Sequence, residues 1–85
     1  MKKDLAARAE GFKLFLKTFP QNNIRYDYFA EMSKNFTFAD IEFVCDEIKR
    51  NALANKIPVL DTNFIGKFIL NHQSALNDEK LQEYL

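Results

Sequence analysis

The side chains in this sequence that could carry chemistry are few and scattered: His72, Cys45, the carboxylates Asp40 and Glu47, and the hydroxyls of Ser33 and Ser74. His72 is the one histidine and Cys45 the one cysteine, so no second imidazole or thiolate is at hand for a familiar zinc-type ligand set. Cys45 stands four residues after Ile41 and three before Ile48, a spacing that places it in an apolar helix stripe as a packing residue. Asp40 and Glu47 are two helical turns apart and could converge on a cation, but a helix cap at Asp40 and a solvated Glu47 explain both at less cost. No His/Asp arrangement near Ser33 or Ser74 would activate a hydroxyl. No Gly-x-x-x-x-Gly-Lys-Ser/Thr loop is present, so the chain lacks the amide nest and lysine that grip nucleotide phosphates and magnesium. No catalytic residue and no metal ligand is therefore assigned, and no ATP hydrolysis is expected of this chain alone.

The elements that would position these groups follow from composition and pattern. At 85 residues the chain suits a single domain, taken as 1–85. Its 47% hydrophobic content, with nine Phe and three Tyr, is too high for a disordered linker. Only two Gly and two Pro argue for helices joined by short loops rather than a turn-rich β fold. Twelve basic and twelve acidic side chains cancel, which gives no general support to nucleic-acid binding and leaves partner contact or self-association free of strong repulsion. Neither a signal peptide nor a membrane segment is read from the pattern, and a soluble cytoplasmic protein is the expectation.

The periodicity predicts four main helices and a short C-terminal fifth. The first runs from about Asp4 to Phe19, carries Leu5, Arg8, Phe12, Phe15, Leu16 and Phe19 along one side, and stops at Pro20. A short second helix spans about Tyr26 to Lys34 with a weakly specified start, since Arg25 stands where a Ser, Thr or Asp cap is preferred. The third has the strongest local signal. Thr37 and Asp40 have the spacing of a capping box, Phe36 and Ile41 that of a hydrophobic staple, and Ile41, Val44, Cys45, Ile48 and Ala52 form the apolar stripe, with Asn55 and Pro58 as the exit. Ile57 to Leu60 reads as an extended buried connection. Asp61 then caps a fourth helix to about His72, Ser74 to Asn77 interrupts it, and Asn77 opens a terminal element holding Leu81, Tyr84 and Leu85.

The segment from Phe29 to Cys45 resembles the lid signature of classical AAA-type ATPases. That pattern has a Leu-Ala pair, a Ser/Thr, then an aromatic-Ser/Thr-Gly-Ala-Asp-Ile/Leu run opening a helix. Its counterparts here are Phe29-Ala30, Ser33, and Phe36-Thr37-Phe38-Ala39-Asp40-Ile41. Upstream, Arg8, Phe12 and Leu16 resemble the helix that begins the lid. Downstream, Asp61 to Phe64 with Phe68-Ile69 resembles its last core helix, and Ser74 to Tyr84 the tail after it. The resemblance implies an all-α, four-helix lid-type bundle with a short C-terminal fifth helix, a fragment of a larger ATPase. It implies an upstream large ATPase domain as partner, neighbouring subunits of a homo-oligomeric ring, and ATP with Mg in the parent though no cofactor in this chain alone. By motif position the purine-facing residues are Gly11, Phe15, Phe38 and Ala39. Two of them depart from the family: Phe38 stands where it has Gly, and Gly11 where it has a bulky aliphatic residue. Phe38 either contacts adenine in the parent or packs against a neighbouring helix or molecule. Because Ile41, Val44, Cys45 and Ile48 already supply the inward stripe, it is expected at the interface with the large domain. In this chain alone it is expected to be exposed, or covered only by a neighbouring molecule or by the first helix near Gly11.

Against the lid reading stands a freestanding helical interaction module that binds a protein through a Phe/Tyr patch. A helix-turn-helix nucleic-acid binder is a third option, weakened by the charge balance.

Overall fold

A computed structural model of the chain describes residues 5–83, with side chains through residue 76. The fold is an all-α, four-helix bundle: α1 (Leu5–Leu16), α2 (Tyr26–Met32), α3 (Phe38–Ala54) and α4 (Thr62–Glu83). α1 packs on α2 and α3, and α4 closes the bundle against α3 and α2. Among the described residues no helix is long and apolar enough to cross a membrane.

The core draws on all four helices and one connection. Phe12 and Leu16, Phe29, Ile41, Val44, Cys45, Ile48 and Ala52, Leu60, and Ile65 and Ile69 are each no more than 1% exposed. Removing a leucine- or phenylalanine-sized side chain from water contributes about 1.5–3 kcal/mol, so this interior is what holds helices as short as α2. Phe12 and Phe29 meet at 6.0 Å between ring centroids and join α1 to α2. Leu5, expected on the inner side of α1, is instead 47% exposed at the first residue of the helix.

α3 begins as its sequence predicts. The Thr37 hydroxyl accepts the Asp40 backbone N–H at 3.1 Å, and Asp40 Oδ2 accepts the Thr37 backbone N–H at 2.8 Å, so both halves of the capping box are made. Its end holds a feature the composition hides. After the C-cap Asn55, Lys56 adopts φ 56°; its N–H bonds to the Leu53 carbonyl at 3.2 Å, and the Ile57 N–H to the Ala52 carbonyl at 2.8 Å. This is a Schellman closure with lysine at the left-handed position usually given to glycine.

Other boundaries shift for local reasons. α1 ends at Leu16 rather than Phe19, since Phe19 precedes Pro20 and is pushed off helical geometry. The Phe19 N–H and the Gln21 amide both turn back to the Leu16 carbonyl. α2 ends at Met32, where the buried C-cap Ser33 leaves helical geometry at φ −103°, ψ 39° while its hydroxyl donates to the Phe29 carbonyl at 2.7 Å. The Ile57 to Leu60 connection is tied to the α1–α2 loop by an isolated parallel bridge, Leu60 N–H to Pro20 O at 2.8 Å and Asn22 N–H to Leu60 O at 3.0 Å. Leu60 is buried, whereas Val59 is 41% exposed.

α4 departs most from expectation. It starts as predicted, with Asp61 Oδ1 accepting the Phe64 N–H at 2.8 Å, but runs without interruption through Ser74–Asn77. No Gly or Pro breaks it there, and tertiary contacts hold its middle. Gln73 donates to the Met32 carbonyl at 2.8 Å, His72 reaches Asp40, and Leu76 packs on the core. The expected short fifth helix, with Leu81, Tyr84 and Leu85, falls outside the residues whose side chains are described.

Candidate functional site

Three of the four residues assigned by resemblance come together. α1 and the first turn of α3 approach closely at Gly11, where an added β-carbon would lie 3.2 Å from Phe38 Cε1 and 3.5 Å from Ile41 Cγ2. The missing side chain at Gly11 is what lets the Phe38 ring lie against α1. Phe15, one turn along α1, meets Phe38 with ring centroids 5.4 Å apart at an interplanar angle of 55°. Phe15 is half-buried, Phe38 is 45% exposed, and Ala39, the next residue of α3, faces solvent. Phe38 thus lies outside the central core and is covered on one side by α1 near Gly11. None of the four residues carries charge, so this corner can cover a flat apolar surface and has no means of neutralising phosphate.

Beneath the corner, α3 is anchored by a group that sequence reasoning assigned only to capping. Besides its capping bonds, Asp40 meets His72 Nε2 of α4 through Oδ1 at 3.1 Å, with both side chains largely shielded. The imidazole is flanked by Phe36, edge-on at 5.0 Å between centroids, and by Phe43 at 5.4 Å. Burial pushes the Asp40 carboxyl up, but the Thr37 backbone N–H, the His72 ring and the Thr37 hydroxyl outweigh it and hold the pKa below its ordinary value. His72 is therefore a structural clip between the start of α3 and the middle of α4. No local pattern marks the pair, which are 32 residues apart. The surrounding rings of Phe36 and Phe43 were the available hint.

A second buried polar tie supports the same region. Arg8 is 6% exposed, and its Nε donates to the Ala30 carbonyl at 2.8 Å, placing a cation at the C-terminal turn of α2 where the helix dipole favours it. Cys45 is fully buried, and that burial is the main reason its thiol is pushed up to about 12. The thiolate needed for nucleophilic attack is thus suppressed. Among the described residues, no three His, Cys, Asp or Glu side chains gather in a way that could hold a metal ion.

Comparison with protein-family models and with curated proteins finds no match for this chain.

Proposed function

We propose that this chain is the helical lid of a AAA-type ATPase. Its corner of Gly11, Phe15, Phe38 and Ala39 would close on the adenine side of ATP held by a large domain and couple nucleotide state to the geometry of a ring of subunits. The observation that carries this reading is the convergence of Gly11, Phe15 and Phe38 at one half-exposed apolar corner, set at the capped start of α3. The order of motifs along the chain supports it. Chemistry on ATP and its Mg would belong to the large domain, since this corner offers no charge to the phosphates.

One observation favours a second reading, a freestanding module that binds a protein. The Phe38 ring already occupies the notch at Gly11, so a purine would have to move it, whereas a partner side chain could pack on its outer face. The reading frame separates the two. The lid requires a phosphate loop and an acidic magnesium motif upstream in the same polypeptide. Stop codons bounding these 85 residues would overturn it in favour of the module.

A further inference from the structure

A groove of about 660 Å³ runs along a different flank of α1 from the Phe38 corner. It is lined by Glu10, Lys13 and Leu14 of α1, by Lys17 just past its end, and by Phe19, Gln21 and Tyr26 at the turn into α2. At 100° per residue, Lys13 points about 160° from both Gly11 and Phe15, while Leu14 lies nearer the Phe38 corner, about 60° from Gly11. The apolar surface comes from Leu14, which is 53% exposed, and from the partly buried Phe19 and Tyr26. The far wall is fixed in place: the Tyr26 hydroxyl donates to Gln21 Oε1, and the Gln21 amide donates to the Leu16 carbonyl. The rim carries two cations and one anion. Lys13 lies 5.9 Å from the centroid of the Tyr26 ring and 3.8 Å from Glu10, in a pair too exposed to hold it strongly. Lys17 has no ion-pair partner among the described residues.

We propose that this groove docks an acidic segment of a partner protein, with an apolar side chain seated on Leu14, Phe19 and Tyr26 and carboxylates meeting Lys13 and Lys17. Charge complementarity selects the occupant. A net positive rim over an apolar floor favours a carboxylate next to an aliphatic or aromatic group, while Glu10 disfavours a bare polyanion. The shape selects it as well. The groove follows the last part of α1 into the turn after it and stays open to solvent, which suits a length of chain better than an enclosed small molecule. This inference stands independently of the lid reading, which rests on Gly11, Phe15, Phe38 and Ala39, none of which lines the groove.

The test titrates the 85-residue chain with a fluorescein-labelled peptide of alternating Glu and Leu ending in Phe. The control peptide has Lys in place of every Glu. The expected result is saturable binding of the acidic peptide that weakens with added salt, with backbone amide NMR shifts centred on Lys13 to Tyr26. Lys13→Glu combined with Lys17→Glu should weaken it at least about tenfold, because like charges then face each other across the rim. Lys67→Glu, an exposed charge on α4, should leave it unchanged. Both lysines are exposed, so the variants should stay folded, with a small fall in Tm because an anion then stands in the last turn of α1 beside Glu10. Equal affinity for the Lys peptide, insensitivity to the double reversal, or shifts centred elsewhere would each overturn the proposal. So would tighter, salt-dependent capture of a duplex oligonucleotide at the same lysines, which would make the groove a nucleic-acid contact.

Discussion

Truncating Phe38 to Ala separates a working surface from a structural one, and the structure sets the size of the effect. A phenylalanine sealed in the core, such as Phe12, should cost about 3–5 kcal/mol when cut to Ala. Phe38 is 45% exposed, so only about half of the usual ~1.5–3 kcal/mol of burial is at stake. Its ring contact with Phe15 adds ~0.5–1.5 kcal/mol, and Ala returns a few tenths through better helix propensity, roughly 0.5 kcal/mol. The net expectation is a loss of about 1–2 kcal/mol, or about 5–15 °C in Tm for a domain of this size. Urea and thermal unfolding of the chain measure it, with Phe12→Ala as the core reference. Two double-mutant cycles sharpen the result. Phe38→Ala with Phe15→Ala should be less than additive, which isolates the ring pair. Gly11→Ala should gain more stability beside Phe38→Ala than alone, because the added methyl no longer meets the Phe38 ring at 3.2 Å. In the intact ATPase that the lid reading requires, Phe38→Ala should change nucleotide affinity or ATPase rate more than it changes the stability of this domain. A stability loss above about 3 kcal/mol, as in the core series, with nucleotide affinity unchanged would refute the reasoning.

Three further outcomes follow from the same geometry. Asp40 has a lowered native pKa, so between that value and the ordinary 3.8 the unfolded chain binds more protons than the folded one. Its contribution should be present in full above pH 3.8 and lost as the pH falls through the native value, and Asp40→Asn should flatten that limb of a stability-versus-pH curve. Lys56 holds a left-handed conformation at φ 56°, and Lys56→Gly should stabilise the chain by about 1 kcal/mol in urea unfolding; a destabilised variant would contradict the Schellman assignment. Cys45, buried and with its thiol pushed up to about 12, should resist a thiol reagent at pH 8 until the chain unfolds, so rapid native-state labelling would show that the core opens there.

The sequence by itself determined the elements whose signals lie within a few residues of one another. Thr37 and Asp40 are three apart, and their reciprocal bonds form wherever a helix starts there, so the opening of α3 was legible before any packing was known. The same holds for Asp61 at the start of α4 and for the inward stripe of α3, which periodicity alone places on one face. Of the candidate site, the sequence supplied the residue types and, through resemblance, the grouping of Gly11, Phe15, Phe38 and Ala39. Tertiary structure decided what depends on residues far apart in the chain. Gly11 and Phe38 stand 27 positions apart, and the stretch between them carries no pattern showing that a missing β-carbon on one helix makes room for a ring on another. The clip between Asp40 and His72, the Arg8 bond to Ala30 and the continuity of α4 past Ser74 have the same origin. Each places a polar group or a weak helical stretch where local propensity is indifferent. Burial against a distant partner then supplies the free energy that chooses one conformation.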